Sequence, residues 1–183
     1  MLKAPDVYTI KNEQFEDETE RKLIAAYNDD DIDEFEEIWG FDSDGEEVDN
    51  SDDFYIDDPN FLITPTKTNK ETDSKEQITM TIFILSTIHG KLDFIKKILK
   101  HPDIDENVRD SKGVNVLWYA VKSQRTDVLN YLLLFRPKKQ IHCIFDPTYL
   151  HADLGMNFLH LSISLENLEM TEMILKEAKN NNF

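Results

Sequence analysis

A chain of 183 residues, 40% of them hydrophobic, is long enough for one domain with a real core, or for a short repeat array with coreless segments beside it. Its net charge of −17 is unevenly placed: residues 1–77 hold 25 of the 37 acidic and 7 of the 20 basic side chains, whereas the remainder holds 12 and 13. Such a field repels nucleic acid and anionic membrane and favours a basic partner or plain solubility, while a single cysteine excludes an internal disulfide framework.

No apolar run approaches the roughly 20 residues that span a bilayer, and the N-terminus lacks the apolar stretch of a secretory signal. A cytoplasmic or nuclear protein is expected. Residues 1–18 are poor in apolar pattern and rich in acid, so they read as a loose lead-in. In residues 19–40, Leu23, Ala26 and Tyr27 make one helical stripe, and Ile32, Phe35, Ile38 and Trp39 make another. The polar break Asn28 to Asp31 separates them, and Gly40 stands where a helix C-terminus wants it.

Residues 41–77 break this pattern with dense acid, Ser, Gly and Pro, and they read as a long acidic, partly disordered insertion. Its apolar islands, among them Phe54, Tyr55, Ile56, Phe61, Leu62 and Ile63, could pack back on the fold or serve as a short linear binding element. Residues 78–110 return to paired stripes: Thr81 to Ile88, then Leu92, Phe94, Ile95, Ile98 and Leu99, with His89-Gly90-Lys91 between them.

Residues 111–154 carry the clearest pattern. The turn Asp110-x-x-Gly113 leads into Leu117, Ala120 and Val121, then a polar link, then Val128, Leu129, Leu132 and Leu133. This stretch resembles one ankyrin repeat, with Leu117 and Ala120 at the family's Leu and Ala, although Asn115, Val116 and Trp118 replace its Thr, Pro and His. Residues 155–178 repeat the pattern with Leu159-His160, the family's Leu-His pair, and residues 179–183 should fray. Equivalent positions are Leu23, Phe83, Leu117 and Leu159, separated by 60, 34 and 42 residues against a family period of about 33. The first excess is the acidic insertion, and the last is an elongated loop around Pro137 and Pro147.

The resemblance implies an all-α, ankyrin-like helix-turn-helix solenoid of four repeats, with residues 19–40 and 155–178 as its caps. Repeat families of this kind bind proteins and seldom catalyse. The expected function is therefore a non-catalytic adaptor, inhibitor or escort with no cofactor. Asp44, Glu46, Glu47, Asp49, Asp52, Asp53, Asp57 and Asp58 would supply charge toward a basic surface, and Phe54, Tyr55 and Phe61 would anchor it. Trp118 is a further candidate binding aromatic. The alternative is a chaperone-like shield or nucleic-acid mimic covering a nucleic-acid-binding surface, which steep salt dependence would distinguish.

Other chemistry is weakly signalled. His142 and Cys143 are adjacent in sequence, where side chains do not face each other, so a nucleophilic site is not expected. The five histidines lack tight ligand spacing, and Asp42 to Glu47 lacks the register of a calcium loop. In the ankyrin family the residue corresponding to His160 bonds loop backbone, which gives it a structural role here.

Overall fold

The computed structural model of the protein describes residues 7–11, 15–40, 58–68, 75–135 and 149–180. Among them the helices are α1 (Glu18–Asp29), α2 (Ile32–Trp39), α3 (Ile82–His89), α4 (Leu92–Ile98), α5 (Val116–Lys122), α6 (Thr126–Leu134), α7 (Phe158–Ser164) and α8 (Leu168–Asn180). They form consecutive hairpins, and neighbouring hairpins meet through α2 with α4, α3 with α5, α5 with α7 and α6 with α8.

One local device recurs in each hairpin. Asp17, Thr81, Asn115 and Asn157 cap the leading helix, each accepting the backbone N–H three residues on, which satisfies a donor the helix itself cannot. Between the helices the chain passes through one left-handed residue, Asp30, Gly90, Gln124 or Glu166. The next N–H then bonds to the carbonyl five residues back: Asp31 to Ala26, Lys91 to Ser86, Arg125 to Ala120 and Asn167 to Ser162, at 2.9 to 3.1 Å. At the second hairpin the residue is Gly90, at φ +74°, where a Cβ would come within 2.8 Å of the Arg125 side chain and push it aside.

The all-α solenoid that the resemblance implies is overturned. Of the described residues 53% are helical and 11% are in strands, and the strands form two antiparallel sheets. The first has the order β1 (Val7–Thr9), β3 (Thr66–Thr68), β4 (Lys75–Gln77), with Val7 opposite Thr68 and Thr66 opposite Gln77. The second pairs β2 (Leu62–Ile63) with β5 (Met80–Thr81). The expected lead-in and the expected insertion thus meet in one sheet. Strands of two or three residues are too short for alternation to show, and Thr66 to Thr68, β-branched at two of three positions, sit in a tract whose composition reads as loop.

The core runs through every hairpin and takes in Tyr8, Phe15, Phe61 and Ile63 from outside the helices. Phe61 packs edge-on to Phe15 at 6.4 Å, and the Asn60 side chain bonds the Asp103 carbonyl and the Asp105 N–H, each at 2.8 Å. Helix α3 is buried from Ile82 to Ile88. Its Ser86 and Thr87 hydroxyls are satisfied by the carbonyls of Ile82 and Phe83.

His89 joins the sheet to the helices. One ring nitrogen meets the Tyr8 carbonyl at 3.1 Å, where only a donor fits, so the other, 3.0 Å from the Tyr27 hydroxyl, accepts from it. Burial, partly offset by the Tyr8 bond, holds the His89 pKa below its ordinary value, and burial does the same for His101. The unfolded chain therefore takes up protons near pH 6.5 that the folded chain refuses. Stability should be full above that pH and fall as pH drops below it, by at most about 1.4 kcal/mol per pH unit for each proton. Denaturant titrations from pH 8 to about 5.5 should show the slope, and His89→Gln should flatten it; an equal slope in the variant would discount this residue. Glu20, raised by burial and by Asp17 and Asp58, acts in the opposite sense nearer its own range, so the window stops above it.

Candidate functional site

The first hairpin has two unlike sides. Leu23, Ile24, Ala26, Tyr27, Phe35, Ile38 and Trp39 are buried, while Glu16, Asp17, Glu18, Asp29, Asp30, Asp31, Asp33, Glu34 and Glu37 are exposed. The acids that approach the second hairpin meet cations. Lys91 pairs with Asp30 at 3.0 Å, donates to the Tyr27 carbonyl and stands 4.1 Å from the Tyr27 ring centroid, and Lys97 pairs with Glu36.

Asp58, where description resumes after Gly40, is exposed and lies close enough to Glu20 to help raise its pKa, after burial and Asp17. The acidic tract therefore leaves from the end of α2 and returns beside α1. The candidates Asp44, Glu46, Glu47, Asp49, Asp52, Asp53, Phe54, Tyr55 and Asp57, with His142 and Cys143, lie outside the described residues. Phe61 is 6% exposed and anchors the returning segment in the core, while its neighbour Leu62 is 63% exposed.

Trp118 lies elsewhere, only 2% exposed, with its ring 4.6 Å from His151 and 6.3 Å from Tyr149. It forms part of the wall of a cleft of about 260 Å³ between the first sheet, α5, α7 and the loop before α7. Lys67, Lys112, Lys122 and His151 also line this cleft. Lys67 and Lys112 share the Glu76 carboxylate, the first at 3.6 Å, and the bond to Lys112 holds that carboxyl below its ordinary range. His151 accepts the Asp153 N–H on Nδ1 at 3.3 Å, so the neutral ring carries its proton on Nε2 as a donor.

The turn beside the cleft is built on Asp110, which is 6% exposed. One carboxylate oxygen accepts the Lys112 and Val114 N–H groups at 2.8 Å, and the other accepts the Tyr119 hydroxyl at 2.6 Å. Burial and the bond to Asp110 raise the Tyr119 pKa, so this phenol stays a donor throughout the ordinary pH range. His160 closes a capping box, bonding the Asn157 N–H at 3.4 Å. Among the described residues no group of three or more His, Cys, Asp or Glu is arranged to hold a metal ion, and no helix is long and apolar enough to cross a membrane.

No protein-family model, curated protein or solved structure matches this chain. Sequence reasoning singled out Trp118 and the turn at Asp110. It missed Lys67, Lys112, Lys122 and His151 as a group, because they belong to four separate segments that only the packing of the sheet and the hairpins brings together. The turn motif Asp110-x-x-Gly113 was the one local signal near them.

Proposed function

We propose that the chain is a non-catalytic protein-interaction module, its helix hairpins related to ankyrin repeats, that holds the basic surface of a partner protein against its acidic first hairpin. The observation that supports this is the return of the acidic tract at Asp58 beside Glu20 and Asp17. Like charges as close as Asp17, Glu20 and Asp58 repel one another and cost stability, and a cationic surface would relieve that cost on binding. Lys91 and Lys97 pair with Asp30 and Glu36 on the side toward the second hairpin.

The test uses the whole chain, a triple variant Asp29→Asn, Asp33→Asn, Glu37→Gln, and a deletion of residues 42–58, each used to retain partners from lysate at low salt and at roughly 0.3 M salt. A basic protein should be retained by the intact chain, and retained several-fold less by both variants and at the higher salt. Equal retention of the same protein by all three proteins would place recognition on the other hairpins and overturn the reading.

A further inference from the structure

The cleft beside Trp118 is a local exception in a strongly acidic chain. Three ammonium groups, from Lys67, Lys112 and Lys122, and one imidazole line a cavity of about 260 Å³, whereas Asp153 is the one carboxylate among its described lining residues. Glu76 bonds two of the lysines, Lys67 and Lys112, from the edge. The inner wall is apolar: Ile78, Val114, Trp118 and Leu161 are 9% exposed or less, and their side chains hold the cavity open. Cations on the rim above an apolar floor suit a ligand that is charged at one end and flat and apolar at the other. The volume falls just below the roughly 300 to 1,000 Å³ of drug-sized pockets, which limits the ligand to about one ring and its substituent.

We infer that this cleft binds a small organic anion, one carboxylate or phosphate carried on a ring-sized apolar body. The anionic group takes the place of Glu76 between Lys67 and Lys112 and accepts from the His151 Nε2–H, while the ring lies toward Trp118 and Leu161. Glu76 is then an internal competitor, and the two charge types at the rim have opposite effects on affinity. This distinguishes binding in the cleft from general attraction to a surface.

The experiment is calorimetric titration of the full chain with phenyl phosphate, with phenylacetate and with benzyl alcohol, together with the indole N–H shifts of Trp39 and Trp118. At least one of the two anions should bind with a Kd on the order of 1 mM or tighter, as expected for about ten non-hydrogen atoms. The Trp118 signal should move and the Trp39 signal should not, and whichever anion binds tighter identifies the headgroup. Lys112→Gln should weaken binding by about tenfold, the loss expected for one charge-assisted hydrogen bond, and Glu76→Gln should strengthen it. Both side chains are more than two-fifths exposed, so neither change threatens folding. Lys179→Gln, on the exposed end of α8, should leave the affinity unchanged. Equal affinity in Lys112→Gln and Lys179→Gln, benzyl alcohol binding as tightly as the anions, or no binding by either anion would overturn the assignment.

Discussion

Replacing Phe94 with alanine should lower the unfolding free energy by about 3–5 kcal/mol, a large share of the roughly 5–15 kcal/mol available to a domain. Phe94 is 3% exposed and stands edge-on to Phe35 at 4.9 Å and to Tyr27 at 5.2 Å, so one ring of the second hairpin closes the aromatic core of the first. The Lys91 ammonium lies 4.7 Å from the same ring and would lose that face. Truncation leaves a cavity bordered by rings that Trp39, stacked on Phe35 at 5.4 Å, keeps from collapsing inward. At roughly 2–4 °C per kcal/mol the melting temperature should fall by about 6–20 °C, followed by near-ultraviolet circular dichroism. Phe94→Leu should cost clearly less, since most of the volume remains. An alanine variant within about 1 kcal/mol of the parent would mean that the first hairpin does not depend on the second.

The second large effect is expected at Asp110. Alanine there removes three hydrogen bonds at once and leaves the Val114 N–H and the Tyr119 hydroxyl buried without their acceptor. Orphaned buried donors cost about 1–3 kcal/mol each, so a total near 3–5 kcal/mol is expected. Tyr119→Phe should cost only about 1–2 kcal/mol, since the carboxylate keeps two backbone donors. In the double variant the losses should add to less than their sum, because a phenylalanine ring has no hydroxyl to strand. Strict additivity, measured by urea unfolding, would show that the Tyr119 bond contributes nothing of its own.

These two sites also mark where the sequence could and could not be read. The turn at Asp110 and the helical stripes at Phe35 and Phe94 are local patterns, legible because the residues that define them lie within a few positions of one another. The left-handed turn residues Asp30, Gly90, Gln124 and Glu166 lie seven positions beyond Leu23, Phe83, Leu117 and Leu159. Three of the four are not glycine, so the polar breaks at Asn28 to Asp31 and after Val121 marked a link between helices without marking its left-handed residue.

The sheet was illegible for a different reason. Val7 to Thr9 pair with Thr66 to Thr68 across more than fifty intervening residues, and nothing in either short run names the other. The cleft inherits the same obscurity, since Lys67 reaches it only because β3 is a strand. Glu20 and Asp58 likewise become neighbours only through the docking of Asn60 and Phe61 onto the helices.

The bond between Tyr8 and His89 spans 81 residues of chain. During synthesis at about 5–20 residues per second, roughly 4–16 s pass between the making of Tyr8 and the making of the histidine that receives it, and longer before the later helices are in place. The first hairpin waits as well for Phe94, which closes its aromatic core, so neither it nor the strand has all its partners until the second hairpin is made. Closure of this bond is therefore a late event in the making of each molecule, and it ties the earliest strand to a helix made long after it.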